Sequence, residues 1–258
     1  GAGVPSANRI TRLADNDGDG VAESKSVFLD KLYSPFGMAL IGDTFYVANA
    51  DAIVAHTLDK TAMTAQQSRI ITELPGGPRN HHWTKNIIPS KDGTKLYATA
   101  GSNSNVGENG MEEEKGRAAI WEVPLDGKAP RIFASGLRNP NGRDFAPGKD
   151  ALWTVVNERD HIGDNLVPDY LTEVKEGAFY GWPFTYFGNH PDTRAPKPGT
   201  PPPQAVAPDY ALGAHTSSIG LAFSDGSTLG PEYAEGAFIG QHGSWNRSVP
   251  AGYRVVFV

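Results

Sequence analysis

The feature that most constrains this chain is a recurring unit in which a short apolar strand, a tight polar turn and a second apolar strand follow one another. Thr44-Phe45-Tyr46-Val47-Ala48, Lys95-Leu96-Tyr97-Ala98-Thr99, Ala151-Leu152-Trp153-Thr154-Val155-Val156 and Gly236-Ala237-Phe238-Ile239-Gly240 each read as a buried strand. Turn chemistry precedes each: Gly42-Asp43, Asp92-Gly93, Pro147-Gly148-Lys149-Asp150 and Pro231-Glu232. Ahead of each turn lies another apolar segment, so the unit starts near residues 36, 86, 142 and 219. An outer strand such as Ala119-Ile120-Trp121-Glu122-Val123 extends it. Spacings of roughly 50 to 80 residues fit propeller blades carrying insertions. No segment keeps a 3.6-residue period between helix caps. A β-sandwich also has many short strands, but four repeats of one composite unit favour an all-β propeller forming a single domain over 1–258.

Two irregularities qualify that reading. Residues 183–208 carry eight prolines, including Pro201-Pro202-Pro203, and are expected to form an extended surface insertion. The first strand, Asn8 to Leu13, has no earlier partner, and Tyr253 to Val258 ends in mid-strand. A propeller closes on itself to protect its edges, so a chain showing four to five blades is expected to be incomplete at both ends.

Composition narrows the function. The 30 Gly and 20 Pro suit many short strands, and 10% aromatic residues provide core volume. A net charge of −6 argues against a nucleic-acid partner and leaves a neutral sugar open. No apolar run approaches the length of a membrane span. The lack of cysteine removes disulfide and thiol chemistry and says little about compartment. No signal-peptide pattern precedes Gly1, so any export signal is expected to have been removed or to have been left out of this sequence.

The sharpest local motif is Asp15-Asn16-Asp17-Gly18-Asp19-Gly20-Val21-Ala22-Glu23. Carboxylates at alternate positions, with glycines permitting the tight turn, converge on a hard cation. Asp15, Asp17, Asp19, the carbonyl of Val21 and Glu23 are the candidate calcium ligands. The flanks read as strands, which predicts a β-hairpin calcium site of structural role. The competing reading is a solvated acidic turn.

Three further segments are more polar than a plain blade needs. In Asn80-His81-His82-Trp83-Thr84-Lys85-Asn86 the histidines are expected to enter an inner strand, where alternation lets only one face the channel. Gly136-Leu137-Arg138-Asn139-Pro140-Asn141-Gly142 holds an Arg-Asn pair in a rigid loop. Gly240-Gln241-His242-Gly243-Ser244-Trp245-Asn246-Arg247 adds donors and a cation. Taken alone, each is a weak signal, and a lone histidine in a β protein is usually a hydrogen-bonded structural residue. All three adjoin an inner strand, however, and such loops gather at one mouth of a propeller channel, where ligands bind. Imidazole, arginines and amides there would suit a planar anionic cofactor beside a polyol.

These segments, with Asn157-Glu158-Arg159-Asp160-His161-Ile162-Gly163-Asp164 and Gly177-Ala178-Phe179-Tyr180-Gly181-Trp182-Pro183, resemble the pyrroloquinoline quinone (PQQ)-dependent aldose sugar and sorbosone dehydrogenases. The resemblance runs from about Asn8 to Val258 and is nearest the sorbosone branch. It implies a six-bladed propeller, PQQ and Ca²⁺ as cofactors, a sugar substrate and an external quinone or cytochrome acceptor. By the same resemblance His82 matches the general base and Arg138 the arginine beside the reactive carbonyl of the cofactor. Asn139, His215 and Arg247 match cofactor-facing positions, and main-chain oxygens near Arg159 and Asp160 match those holding the cofactor's calcium. Related glucose dehydrogenases carry Asp before the base and Gly-Pro at the calcium carbonyls. Here those positions read His81 and Arg159-Asp160.

A neutral imidazole can accept a hydroxyl proton near neutral pH. The expected activity is therefore PQQ- and calcium-dependent oxidation of an aldose or sorbosone-like sugar, in a periplasmic or secreted protein. The main rival is a calcium-dependent propeller lactonase, which needs a channel metal held by carboxylates such as Glu158 and Asp164. A non-enzymatic propeller binding a glycan or a protein partner is the third reading.

Overall fold

The computed structural model describes residues 6–226 and 228–258. The chain opens with a hairpin of β1 (Ile10–Ala14) and β2 (Ser24–Leu29), and then builds four meanders. The first pairs β3 (Met38–Ile41), β4 (Thr44–Ala48), β5 (Ala52–Asp59) and β6 (Thr64–Glu73) in sequence order. The second runs through β7 (Ile87–Pro89), β8 (Lys95–Ala100), β9 (Ala119–Pro124) and β10 (Arg131–Ser135). In the third, β11 (Pro140–Phe145), β12 (Leu152–Val156) and β13 (Pro168–Glu173) are followed by a small hairpin, β14 (Thr185–Tyr186) with β15 (His190–Pro191). Only after that excursion does β16 (Tyr210–Ala214) complete the sheet. The fourth has β17 (Ser218–Asp225), β18 (Glu235–Gln241) and β19 (Arg254–Phe257).

These sheets stack as consecutive blades because their strands are apolar on both faces. On β8, Leu96 and Ala98 pack with Tyr46, Ile53 and Ala55 of the first blade, while Tyr97 turns the other way to Leu152, Val156 and Tyr170. On β12 the alternation repeats: Leu152 and Val156 face the second blade, and Val155 faces Leu212 and Ile239. One apolar layer therefore lies between each pair of blades. The inner strands also touch directly, β3 against β7 and β11 against β17. Gly37 and Gly142 allow this approach, since a Cβ on either would stand 2.5 Å from the main-chain nitrogen of Ile87 or Leu221.

The anticipated all-β propeller is thus observed to the extent of four blades plus the β1–β2 hairpin, which sets Phe28 edge-on to Phe45 at 5.5 Å. The Pro-rich 183–208 stretch, expected to be an extended surface insertion, carries the short β14–β15 hairpin and is anchored, with Asp192 buried. No helix among the described residues is long and apolar enough to cross a membrane.

The topology also decides where a site can form. Inner and second strands are antiparallel, with Ile87 opposite Ala98, Pro140 near Val156 and Ser218 opposite Gln241. The segment entering each inner strand and the loop leaving the second strand therefore meet at the same end of the blade. Residues 80–86, 101–110, 137–139, 157–164, 215–217 and 242–247 all emerge there.

Candidate functional site

A cavity of about 430 Å³ opens among these loops, a size usual for a small-ligand site. Its lining includes His81, His82, Asn105, Arg138, Asp160 and His215. Both adjacent histidines line it. The expectation that only one could face the channel fails because residues 81 and 82 lie in a turn ahead of β7, where strand alternation does not apply. Their rings meet edge to face at 4.5 Å.

His82 is held by Ser102. Its Nδ1 lies 2.8 Å from the Ser102 main-chain oxygen and 3.0 Å from Ser102 Oγ. A carbonyl oxygen only accepts, so Nδ1 carries the proton and Nε2 keeps its lone pair. Loss of water pushes the His82 imidazole well below its ordinary range, and Arg138 and His81 add to the effect. His81 is lowered less, by burial and by Arg138, with Glu108 and Asp160 pulling the other way.

Arg138 is 2% exposed and is fixed by main-chain and amide oxygens. Nε donates to Asn105 O at 3.1 Å, Nη1 to Glu158 O at 2.7 Å and to Asn157 O at 3.3 Å, and Nη2 to Asn105 Oδ1 at 3.0 Å. Nη2 also stands 3.7 Å from the Asp160 carboxylate. Asp160 Oδ1 accepts from Asn246 Nδ2 at 2.7 Å and lies 3.2 Å from His215 Nδ1. The other His215 nitrogen, Nε2, is 2.8 Å from Gly163 O, so each ring nitrogen faces an acceptor.

His82, Arg138, Asp160 and His215 are thus brought together, and the side chains of Asn139, Arg159 and Arg247 lie outside the lining. Asn139 is buried behind the lining, with its Oδ1 unpartnered. The Arg159 side chain turns away to Asp192, 2.8 Å distant. Arg247 faces Ala214 O and Asn165 Oδ1 at 3.4 Å, because its neighbour Asn246 takes the cavity side. Of the two main-chain oxygens read as calcium ligands, that of Asp160 already accepts from Asn105 Nδ2 at 3.0 Å. Asp160 and Glu108 are the two carboxylate residues of the lining, and Asp160 is the one beside Arg138 and His215.

Sequence reasoning missed Asn105, Glu108 and Ser217. The first two lie in Gly101-Ser102-Asn103-Ser104-Asn105-Val106-Gly107-Glu108-Asn109-Gly110, a ten-residue polar loop leaving a second strand of the repeat. That position was the available signal.

The carboxylates a channel metal would need do not converge. Glu158 is buried outside the lining, with Oε2 accepting from Arg159 N at 2.9 Å. Asp164 accepts from Ser248 N at 3.1 Å. Among the described residues, the one group of three or more acidic or histidine ligands close enough to share an ion is Asp15, Asp17, Asp19 and Glu23, with ligand atoms within 4.8 Å of one another. It lies on the β1–β2 hairpin, flanked by strands as expected. Asp15 accepts from Gly18 N at 2.6 Å and Gly20 N at 2.9 Å, and the Gly20 bond, then Gly18, holds its carboxyl below the usual range.

Comparison with known proteins agrees with this architecture. A family model described as glucose/sorbosone dehydrogenase matches residues 43–244, well over half of the chain. An uncharacterised protein of Borreliella burgdorferi is 30% identical over 240 residues, covering 87% of this chain and 61% of that protein. The chain therefore spans about three fifths of that relative's length. A family AA12 carbohydrate-active enzyme of Trichoderma reesei superposes with a TM-score of 0.81 at 20% identity, covering 98% of this chain and 73% of that structure. The holo PQQ domain of pyranose dehydrogenase from Coprinopsis cinerea gives 0.78 at 22% identity, covering 96% and 69%. At those identities the solved structures establish the propeller fold, and the sequence match establishes the lineage: the chain belongs to the glucose/sorbosone dehydrogenase family.

Proposed function

We propose that the cavity is the active site of a PQQ- and calcium-dependent dehydrogenase that oxidises an aldose or sorbosone-like sugar. The observation that carries this reading is the fixed tautomer of His82, whose Nδ1–H is tied to Ser102 O at 2.8 Å. The ring, with Nε2 left free to accept a proton, lines the cavity together with Arg138.

The residues present fit such cofactors. Asn246 Oδ1 is buried without a partner, and Asp160 contributes a carboxylate, both oxygens of the kind calcium takes. Arg138 lines the cavity with a cation and Asn157 with an amide, groups that suit the carboxylates of a planar anion, and the His215 imidazole lines it as well. When bound, PQQ with calcium supplies a two-electron acceptor for hydride.

The chain's own residues do the rest. His82 Nε2 takes the proton of the sugar hydroxyl, and its depressed basicity keeps it unprotonated at neutral pH. Arg138 offers a positive charge that needs no reorganisation, because carbonyls already fix its plane. The acceptor assigned to this activity is an external quinone or cytochrome, and the protein is assigned to the periplasm or to secretion. The Asp15–Glu23 loop is assigned a separate structural calcium.

The test is optical. PQQ and Ca²⁺ added to the full-length protein should give a shifted cofactor absorption that bleaches when an aldose is added. An unaltered PQQ spectrum at saturating cofactor and calcium would contradict the reading.

A further inference from the structure

Asn105 occupies an unusual position among the cavity loops. Its side-chain amide closes a two-bond ring with the backbone of Asp160: the Asp160 N–H donates to Oδ1 at 2.9 Å, and Nδ2 donates back to Asp160 O at 3.0 Å. Asn105 Oδ1 also accepts from Arg138 Nη2 at 3.0 Å. Its main-chain oxygen accepts from Arg138 Nε at 3.1 Å and from Trp182 Nε1 at 2.9 Å. One residue from the second blade thus ties together the entry to β11, the loop leaving β12 and the start of the Pro-rich excursion.

The chemistry makes this arrangement demanding. A guanidinium with 2% exposure must find its acceptors inside the protein, and Asn105 provides two of them. The Asp160 segment has no strand pairing of its own, and its backbone donor and acceptor are both satisfied by this one amide. Nothing else among the described residues bonds directly to both Arg138 and the backbone of Asp160.

We propose that Asn105 is a positioning residue that locks Arg138 and Asp160, the cationic and the oxygen-bearing sides of the cavity, into one geometry before the cofactor arrives. This rests on the PQQ reading above. Presetting both sides removes an ordering cost that binding would otherwise carry. Loss of such an outer partner typically weakens binding or turnover by about 10- to 100-fold.

The test compares Asn105→Ala and Asn105→Asp with the parent and with Asn109→Ala. Asn109 lies in the same loop and donates to Asn103 O at 3.3 Å, away from Arg138. PQQ is titrated with Ca²⁺ into each full-length protein lacking cofactor, followed by tryptophan fluorescence. Melting curves and kcat at saturating PQQ complete the set. Asn105→Ala should weaken PQQ binding by at least about tenfold and lower kcat. Asn109→Ala should bind PQQ as the parent does. Asn105→Asp keeps the acceptors for Arg138 but sets a carboxylate oxygen against Asp160 O in place of the donor, so it too should weaken PQQ binding relative to the parent. It also carries the test if the alanine variant does not fold. Variants that melt lower yet bind PQQ and turn over like the parent would overturn the inference and leave the proposed function standing. A parent that binds no PQQ would overturn both.

Discussion

Arg159 and Asp192 meet inside the protein, Nε to Oδ2 at 2.8 Å, with side chains 1% and 4% exposed. The carboxylate lies off the N–H direction, so the contact is ionic, and Nη1 and Nη2 find no acceptor. Asp192 belongs to the Pro-rich excursion and Arg159 to the loop that carries Asp160. Arg194 adds a second tie, donating to His161 O at 2.8 Å. The excursion therefore braces a wall of the cavity.

Removing one member of a buried pair leaves the other charge uncompensated, at a cost of about 3–5 kcal/mol. Asp192→Ala should lower stability by that order in chemical denaturation. A loss under about 1 kcal/mol, the range of exposed pairs, would show that the excursion does not brace the loop.

Glu158 gives a pH signature. Burial pushes its carboxyl up to about 7, against the pull of Arg138. A raised folded value means that the protonated form stabilises the fold; that contribution is full below the ordinary glutamate range and is lost as pH rises to about 7. Glu158→Gln cannot ionise, so its melting temperature relative to the parent should rise between pH 5 and pH 8. A difference that stays flat across this window would contradict the assignment.

The acidic hairpin should respond to chelation. A ligand bound only to the folded state stabilises it by mass action. Excess chelator should lower the melting temperature of the cofactor-free protein, and Asp17→Ala should remove that response. An unchanged melting curve in chelator would leave only a solvated acidic turn.

Much of this was legible in the sequence, for physical reasons. Strands such as Lys95–Ala100 are apolar on both faces because blades cover both, and turn residues mark their ends. Antiparallel pairing then places the loops at one end, which is why the His82, Arg138 and Asn246 segments converge. The facing of individual side chains was not legible. Alternation could not be applied to His81 and His82 because they precede the strand. The side chains of Asn246 and Arg247, adjacent in sequence, diverge according to whether Asp160 or Ala214 O is in reach. Asn105 carried no motif, since its importance lies in contacts made across 33 and 55 residues of chain.

Activity should also report the depressed basicity of His82. A base works unprotonated, so kcat/KM should fall on the acid side with an apparent pKa below the ordinary histidine value of about 6.5. An acid limb above that value would assign the base elsewhere.

The most direct test is His82→Ala in the full-length, PQQ- and Ca²⁺-loaded protein, followed by steady-state dye reduction with an aldose. His82 alone joins the Ser102-fixed tautomer to a place in the cavity lining. Loss of a general base costs a factor of roughly 10² to 10⁴. Turnover should fall by that order while PQQ still binds. Turnover equal to the parent's would contradict His82 as the base and, with it, the mechanism proposed for this cavity.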